Sequence, residues 1–286
     1  MIRTVFLIGN ETPMDLLLLS LFLKKTTPGE LMVGVKRDAF INWKRVLKVW
    51  EVLQNSGIYF VGFNVLLNAS KGRILMQNDN IIPPNLEILK EQYKFQLFYF
   101  NNVNNPNTYA AIKSFSPDVI FNHMPQRIRH PLTQLGIINI HPGLLPDYQG
   151  MGSCLWPLIN KSSFHGTTLH YINSEEIDAG PIIAIGRFPV SGKDSVLSLH
   201  IRNRIIGARL ANYVAERVIR KERIQSRPQN GGKYYKLPAK EALREMRAGG
   251  HAYFRWHDRK LVNEDRNHEF EFCDENTEWA WKPLLD

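Results

Sequence analysis

Apolar and polar positions fall along this chain in blocks that predict strand, helix and strand in turn. Thr4-Val5-Phe6-Leu7-Ile8 reads as a buried strand that ends at Gly9-Asn10. Pro13 to Lys25 follows as a helix, with Asn10 or Thr12 available to cap it. Leu31-Met32-Val33-Gly34-Val35 is a second strand, so the chain opens on β-α-β, the start of a doubly wound sheet. The turn Gly9 to Pro13 lacks the Gly-x-Gly-x-x-Gly spacing, and no nicotinamide or flavin dinucleotide site is expected there. Trp43, Val46, Leu47, Val49, Trp50 and Leu53 fit one apolar helical face, and Tyr59 to Leu67 forms a second apolar patch.

The same reading continues with a helix over Pro84 to Tyr93 and a strand over Phe95 to Phe100. An Asn-rich loop, 101–107, leads to a helix over Thr108 to Phe115 and a central strand over Asp118 to Phe121. Leu135 to Ile140 is an apolar run of buried-strand type. Asn139 and His141 lie two apart, so on a strand they face the same side. Pro142 stops the ladder, and Gly143, Pro146 and Gly150 punctuate a loop. An amide and an imidazole thus sit together where a strand ends, which in an open α/β sheet is where ligands bind. Ser153 to Asn160 reads as a helix interrupted near its start by Pro157, Gly166 to Ile172 as a strand, and Ser195 to Arg220 as a long helix capped by Asp194 or Ser195. Lys233 to Leu237 is a short strand and Ala239 to Arg247 a short helix. From Arg259 the tail is polar, apart from Phe270, Phe272, Trp279 and Trp281.

Composition narrows the class. The chain has 286 residues, 44% of them hydrophobic, enough for a proper core. No stretch approaches the ~20 apolar residues that cross a bilayer. The start runs straight into a strand, so no signal peptide is expected. Cys154 and Cys273 lack metal-ligand spacing, nothing in the sequence supports a disulfide between them, and a cytoplasmic setting is the expectation. Charge is uneven within a net +9: Arg202 to Lys260 holds 16 Lys and Arg against 5 Asp and Glu, whereas Asn263 to Asp286 holds 8 acidic and 2 basic residues. Two readings stay open: an anionic partner such as a phosphate, nucleotide or RNA, or a solvated helix face with an acidic tail folded back on it.

The string from Asn139 to Gly150, Asn-x-His-Pro-Gly-Leu-Leu-Pro-x-Tyr-x-Gly, resembles the signature of the 10-formyltetrahydrofolate-dependent formyltransferases. That family includes glycinamide ribonucleotide, methionyl-tRNA and sugar N-formyltransferases. A second motif, Asp178-Ala179-Gly180 ahead of an apolar strand, follows His141 by 37 residues, close to the family's spacing. Pro117-Asp118 before a strand, then a loop with Gln126-Arg127-Ile128, continues the likeness. In outline it covers residues 3 to 220, with its specific motifs between 117 and 181.

The resemblance implies a Rossmann-like, doubly wound and mostly parallel sheet. A catalytic domain over 1–225 would be followed by a small α+β appendage over 226–286. Residues 41–76 look like an insertion, a helical hairpin that covers the sheet edge or builds an oligomer contact. A membrane-surface role is set aside because basic residues do not line one face of it. The resemblance also implies 10-formyltetrahydrofolate as cosubstrate and Asn139, His141 and Asp178 as the catalytic trio. Gln126, Arg127, Ile128, Glu175 and Ile177 would lie against the folate.

Chemistry agrees. Formyl transfer between nitrogens passes through a tetrahedral oxyanion, which needs a donor and a proton carrier. Asn139 supplies an N–H, His141 can accept or donate near neutral pH, and Asp178 can steady its charge. No metal is required. Tyr148 can reach folate or acceptor or simply pack its loop. Tyr234 and Tyr235, interleaved with Lys233 and Lys236, can hold a nucleotide or form an ordinary edge strand. His170 is expected to be a structural histidine that orients the motif loop.

The expectation is a formyltransferase acting on a small anionic amine, a nucleotide-linked amino sugar, with a homodimer allowed and neither membrane nor nucleic acid as partner. The alternatives are a hydroxyornithine-type amine, methionyl-tRNA, or a non-catalytic folate-sensing or RNA-binding module.

Overall fold

A computed structural model describes residues 2–26, 29–37, 43–68, 85–261, 269–272 and 282–283. The chain opens with β1 (Arg3–Ile8), α1 (Pro13–Lys25) and β2 (Glu30–Lys36), then α2 (Trp43–Ser56) and α3 (Ile58–Asn68). Next come α4 (Leu86–Tyr93), β3 (Gln96–Phe100), α5 (Pro106–Phe115), β4 (Val119–His123) and β5 (Ile137–His141). A two-residue β6 (Gln149–Gly150) and the short α6 (Trp156–Ile159) precede β7 (Phe164–Ile172), β8 (Ile182–Pro189) and α7 (Val196–Ile219). The chain ends with β9 (Tyr234–Tyr235), α8 (Lys240–Ala248), β10 (Glu269–Phe272) and β11 (Lys282–Pro283).

Among the described residues a nine-stranded sheet runs β11-β10-β8-β7-β5-β4-β1-β2-β3. The five strands from β3 to β5 are mutually parallel, and β7, β8, β10 and β11 continue antiparallel. This is an α/β Rossmann-like fold. From β1 the chain crosses to β2 on one side, and from β3 it returns to β4 on the other. The switch point therefore lies between the carboxyl ends of β1 and β4, beside β5.

The core is divided by the sheet. Phe6, Phe121, Ile138, Ile140 and Leu169 face α1 and α7 in one cluster. Val5, Leu7, Ile120 and Ile137 face α5 in the other. Thr12, not Asn10, caps α1, in a reciprocal box with Asp15, and Ser195 caps α7 in the same way with Ser198. Pro157 lies in the first turn of α6, where its missing N–H costs nothing, so it starts the helix instead of interrupting it.

The segment after residue 225 is stitched into this body. β10 pairs antiparallel with β8, and Phe270 is fully buried, although its neighbourhood reads as polar tail. The rest of the acidic tail, with Cys273, Trp279 and Trp281, lies outside the described residues. The basic segment does not form one patch. Arg202 is buried over the Phe188 ring and paired with Asp194, Arg204 is buried among core residues, and Arg217 pairs with Glu222.

Behind the sheet, His165 is fully buried and His200 half-buried with its Nδ1 shielded from solvent, and burial pushes each imidazole down to about 3. In the unfolded chain both take up protons near their ordinary value of 6.5. Between those values the unfolded state binds more protons, so stability rises with pH there and falls on acidification. The expected slope is about 1.4 kcal/mol per pH unit for each histidine. Denaturant unfolding at several pH values between 4 and 7 checks this, and replacing His200 with Gln should flatten the slope.

Candidate active site

The sheet register assembles the site. Asn122 of β4 lies opposite Asn139 of β5, which lies opposite His170 of β7. Residues opposite one another share a face, so three polar side chains form a row across three strands. The Asn122 amide donates to the Asn139 carbonyl oxygen at 2.7 Å, which turns the Asn139 N–H groups the other way. They face His170 Nε2 at 3.1 Å and Asp178 Oδ1 at 3.4 Å. His170 Nδ1 lies 3.0 Å from the Tyr171 carbonyl, which anchors its ring. His170 is thus a structural histidine, but it orients Asn139 and not the loop after His141.

That loop is held by Thr168, whose hydroxyl donates to the Gly143 carbonyl and accepts from the Leu145 N–H. Gly143 is required where it stands, because a side-chain carbon would press on the His141 ring. Asp178 sits at the far side of the site in a left-handed conformation, φ 54°. One oxygen of its carboxylate accepts the Gly150 N–H at 2.8 Å, and the other lies 3.3 Å from His141 Nδ1 and 3.6 Å from His170 Nε2. The glycine of the Asp-x-Gly motif has a steric cause: a side chain at Gly180 would collide with the Tyr171 carbonyl.

Burial alone would raise the Asp178 carboxyl, but His141, His170 and the Gly150 N–H together outweigh it and hold the group at about 2. Both ring nitrogens of His141 face oxygens, Nε2 the Tyr148 carbonyl at 2.7 Å and Nδ1 the Asp178 carboxylate. Those acceptors favour a second proton on the ring. Burial opposes them and prevails, so the His141 pKa lies below its ordinary value. At neutral pH the pair is an ionised carboxylate beside a neutral imidazole that has a place ready for a proton.

The other residues singled out from sequence divide. Arg127 crosses to the second loop, its Nε donating to the Glu175 carbonyl at 2.7 Å, so both loops meet at this end of the sheet. Gln126 is engaged by Asn102 and the Val103 N–H, and Ile177 is exposed. The side chain of Ile128 is buried in the α5-side core. Tyr148 bonds Ser162 through its hydroxyl and stacks on Tyr235 at 5.6 Å. Tyr235 is only 8% exposed and its hydroxyl accepts from Asn160, so it is a packing residue and not a stacking platform, whereas Tyr234 is 48% exposed. β9 pairs with β6, which sets Tyr234 and Tyr235 against Gln149 and Gly150.

Two participants escaped the sequence reading. Asn122 left a signal, since Asn122-His123 closes an apolar strand much as Asn139 and His141 do. Gln229 left none. Its amide donates to the carbonyls of Asp178 at 2.9 Å and Gly180 at 2.6 Å, across some fifty residues of chain.

A model of the formyl transferase family matches residues 83–211, a span that holds Asn139, His141 and Asp178. Solved formyltransferases share the fold of this chain. The N-formyltransferase of Helicobacter canadensis, in complex with folinic acid and dTDP-3-aminofucose, is 17% identical with a TM-score of 0.52, over 83% of this chain and 71% of that one. Phosphoribosylglycinamide formyltransferase of Anaplasma phagocytophilum is 16% identical with a TM-score of 0.53, over 83% and 98%. Glycinamide ribonucleotide transformylase 1 of Symbiobacterium toebii is 17% identical with a TM-score of 0.53, over 80% and 95%.

Gln229 fixes the backbone on either side of Asp178, so Gln229→Ala should let the carboxylate drift. Displacements of about 1 Å in such sites cost about 10²-fold in rate. The expected result is a kcat loss of that order with little change in melting temperature, measured by steady-state kinetics beside thermal unfolding.

Proposed function

We propose that this chain is an N-formyltransferase that moves the formyl group of 10-formyltetrahydrofolate onto the amine of a small anionic acceptor, a nucleotide-linked amino sugar. The observation that carries the reading is the convergence of Asn139, His141 and Asp178 at the carboxyl end of β5, with His141 buried and the other two half-buried. Each group has a role in formyl transfer. The acceptor amine attacks the formyl carbon, a C–N bond forms and the carbonyl oxygen becomes an oxyanion. An Asn139 N–H donates to that oxygen. Neutral His141 takes the proton from the attacking nitrogen, and the Asp178 carboxylate stabilises the imidazolium that results. The bond to the folate N10 then breaks, His141 returns its proton to the leaving nitrogen, and tetrahydrofolate departs.

The donor set suits a folate. The loop backbone from Gln126 to Ile128 and the exposed side chain of Ile177 flank the same end of the sheet, and Arg127 ties their two loops together. Backbone polar groups on one loop and an apolar side chain on the other suit the edge and the face of a flat heterocycle. The Helicobacter canadensis protein, with its folate and dTDP-sugar, supports both halves of the reading.

For the acceptor, the local support is Tyr234. It is exposed, and β6, its partner strand, includes the Gly150 N–H that Asp178 holds. An aromatic ring and Lys236 on one face suit a base and a diphosphate. The burial of Arg202 and Arg204 speaks against a broad RNA-binding face, and so against a tRNA acceptor.

An acceptor screen that follows tetrahydrofolate release tests the proposal, with nucleotide-linked amino sugars expected to turn over and simple amines to fail. In the working enzyme, His141→Ala should lose ~10²–10⁴-fold in rate while remaining folded. Near-normal turnover in that variant would remove the assignment. The rate should decline on the acid side only below pH 6.5, the ordinary histidine value, because burial holds His141 beneath it. Tyr234→Ala should raise the acceptor KM by the equivalent of ~1–3 kcal/mol and leave the folate KM unchanged.

A further inference from the structure

The hairpin of α2 and α3 is docked on one side and bare on the other. Phe60, Phe63 and Leu67 are buried in the main core, Phe63 stacks on Tyr253 at 5.3 Å, and the Ser56 hydroxyl donates to the Pro238 carbonyl at 2.9 Å. On the opposite side Leu47 is 64% exposed, Trp50 58%, Ile58 70%, Tyr59 66% and Val65 65%. Single exposed apolar residues are normal, but a clustered set on one hairpin marks a contact surface. α3 carries no charged residue at all.

The cations that α3 lacks come from its neighbours in the fold. α8 packs against α2 and brings exposed Lys240, Arg244 and Arg247, while α2 itself adds exposed Lys48. The Arg247 guanidinium lies over the Tyr59 ring, 4.3 Å from its centre. Arg247, Arg255, His251 and Tyr59 also line a cleft of about 500 Å³ at the hairpin's margin. Glu51, Glu241 and Glu245 are the acidic groups on the same helices. A basic rim around an apolar face is invisible when the hairpin is read alone, which is why a membrane surface was set aside on sequence.

We propose that the α2–α3 hairpin and α8 form a docking surface for an anionic phospholipid bilayer. Leu47, Trp50, Ile58 and Tyr59 enter the interfacial region, and the α8 cations meet lipid phosphates. Trp and Tyr suit the headgroup level, where one end of each ring is apolar and the other wet. The chain rests on the surface and does not cross it, since no described helix is long and apolar enough to span. Charge argues against a second copy as occupant. Two chains of net +9 that met through the same patch would bring their α8 cations together, whereas an anionic surface neutralises them.

Flotation of the full chain tests this, with vesicles of phosphatidylcholine alone and of phosphatidylcholine mixed with phosphatidylglycerol. The chain should float with the anionic vesicles at low salt, be released by high salt, and float poorly with phosphatidylcholine. Arg244→Gln and Arg247→Gln should each weaken binding about fivefold. Joint Leu47→Glu and Trp50→Glu changes should abolish it, as should the milder Trp50→Ser with Leu47→Ser if the first pair fails to fold. Unchanged far-ultraviolet circular dichroism and unchanged formyl transfer in solution identify the folded variants. Failure of the unaltered chain to float with anionic vesicles at low salt would overturn the proposal. So would undiminished flotation of both folded variants, or a dimer in sedimentation that the Leu47 and Trp50 changes convert to monomer while vesicles remain unbound.

Discussion

Everything at the site depends on one largely buried carboxylate. Asp178 accepts the Gly150 N–H, faces His141 and His170, and stands within reach of the Asn139 amide. Taking a carboxylate out of water is costly unless donors and positive charge surround it. Here the surroundings more than compensate, and the group stays ionised down to about 2. The charge in turn sets what His141 can do. A buried imidazole resists a second proton, and a fixed carboxylate beside it lowers that resistance. The ring is neutral at rest and able to become charged as a reaction proceeds, which is what a carrier between two nitrogens needs.

The fold supplies this arrangement through register. Asn122, Asn139 and His170 are neighbours only because β4, β5 and β7 pair as they do, and a slip of one residue would turn Asn139 and His141 to the opposite face. β7 runs antiparallel to β5, so its chain returns past the site and on to the loop that presents Asp178. Gln229 then pins that loop from the far end of the chain, and β6 with β9 ties the C-terminal segment to the loop after His141. The segment beyond residue 225 therefore holds the candidate site's geometry directly.

Much of this was legible in the residues. The helix over Pro13 to Lys25 matches its sequence bounds because Pro13 marks its first turn, although its cap was open between Asn10 and Thr12. Asn139, His141 and Asp178 were singled out because two motifs stand in order, and the structure places the three side chains near one another. Tyr235 was misread, since a Lys-Tyr-Tyr-Lys strand does not reveal that Tyr148 and Trp156 enclose the Tyr235 ring while Tyr234 stays exposed. Gln229 and the basic rim of α8 were invisible for a shared reason: their significance lies in contacts distant in sequence, which local pattern does not encode. β10 was missed because Glu269-Phe270-Glu271-Phe272 is too short to stand out from a polar tail, although its alternation fits a strand.

The central claim is that burial and Asp178 act on His141 in opposite directions, with burial the stronger. A titration of the His141 ring by nuclear magnetic resonance, with labelled imidazole nitrogens and His141→Gln used to assign the signal, measures this without turnover. The account predicts a midpoint below the ordinary 6.5 in the unaltered chain, and a lower one still in Asp178→Asn, where burial acts unopposed. A midpoint at or above 6.5, or one that Asp178→Asn leaves in place or raises, would contradict it.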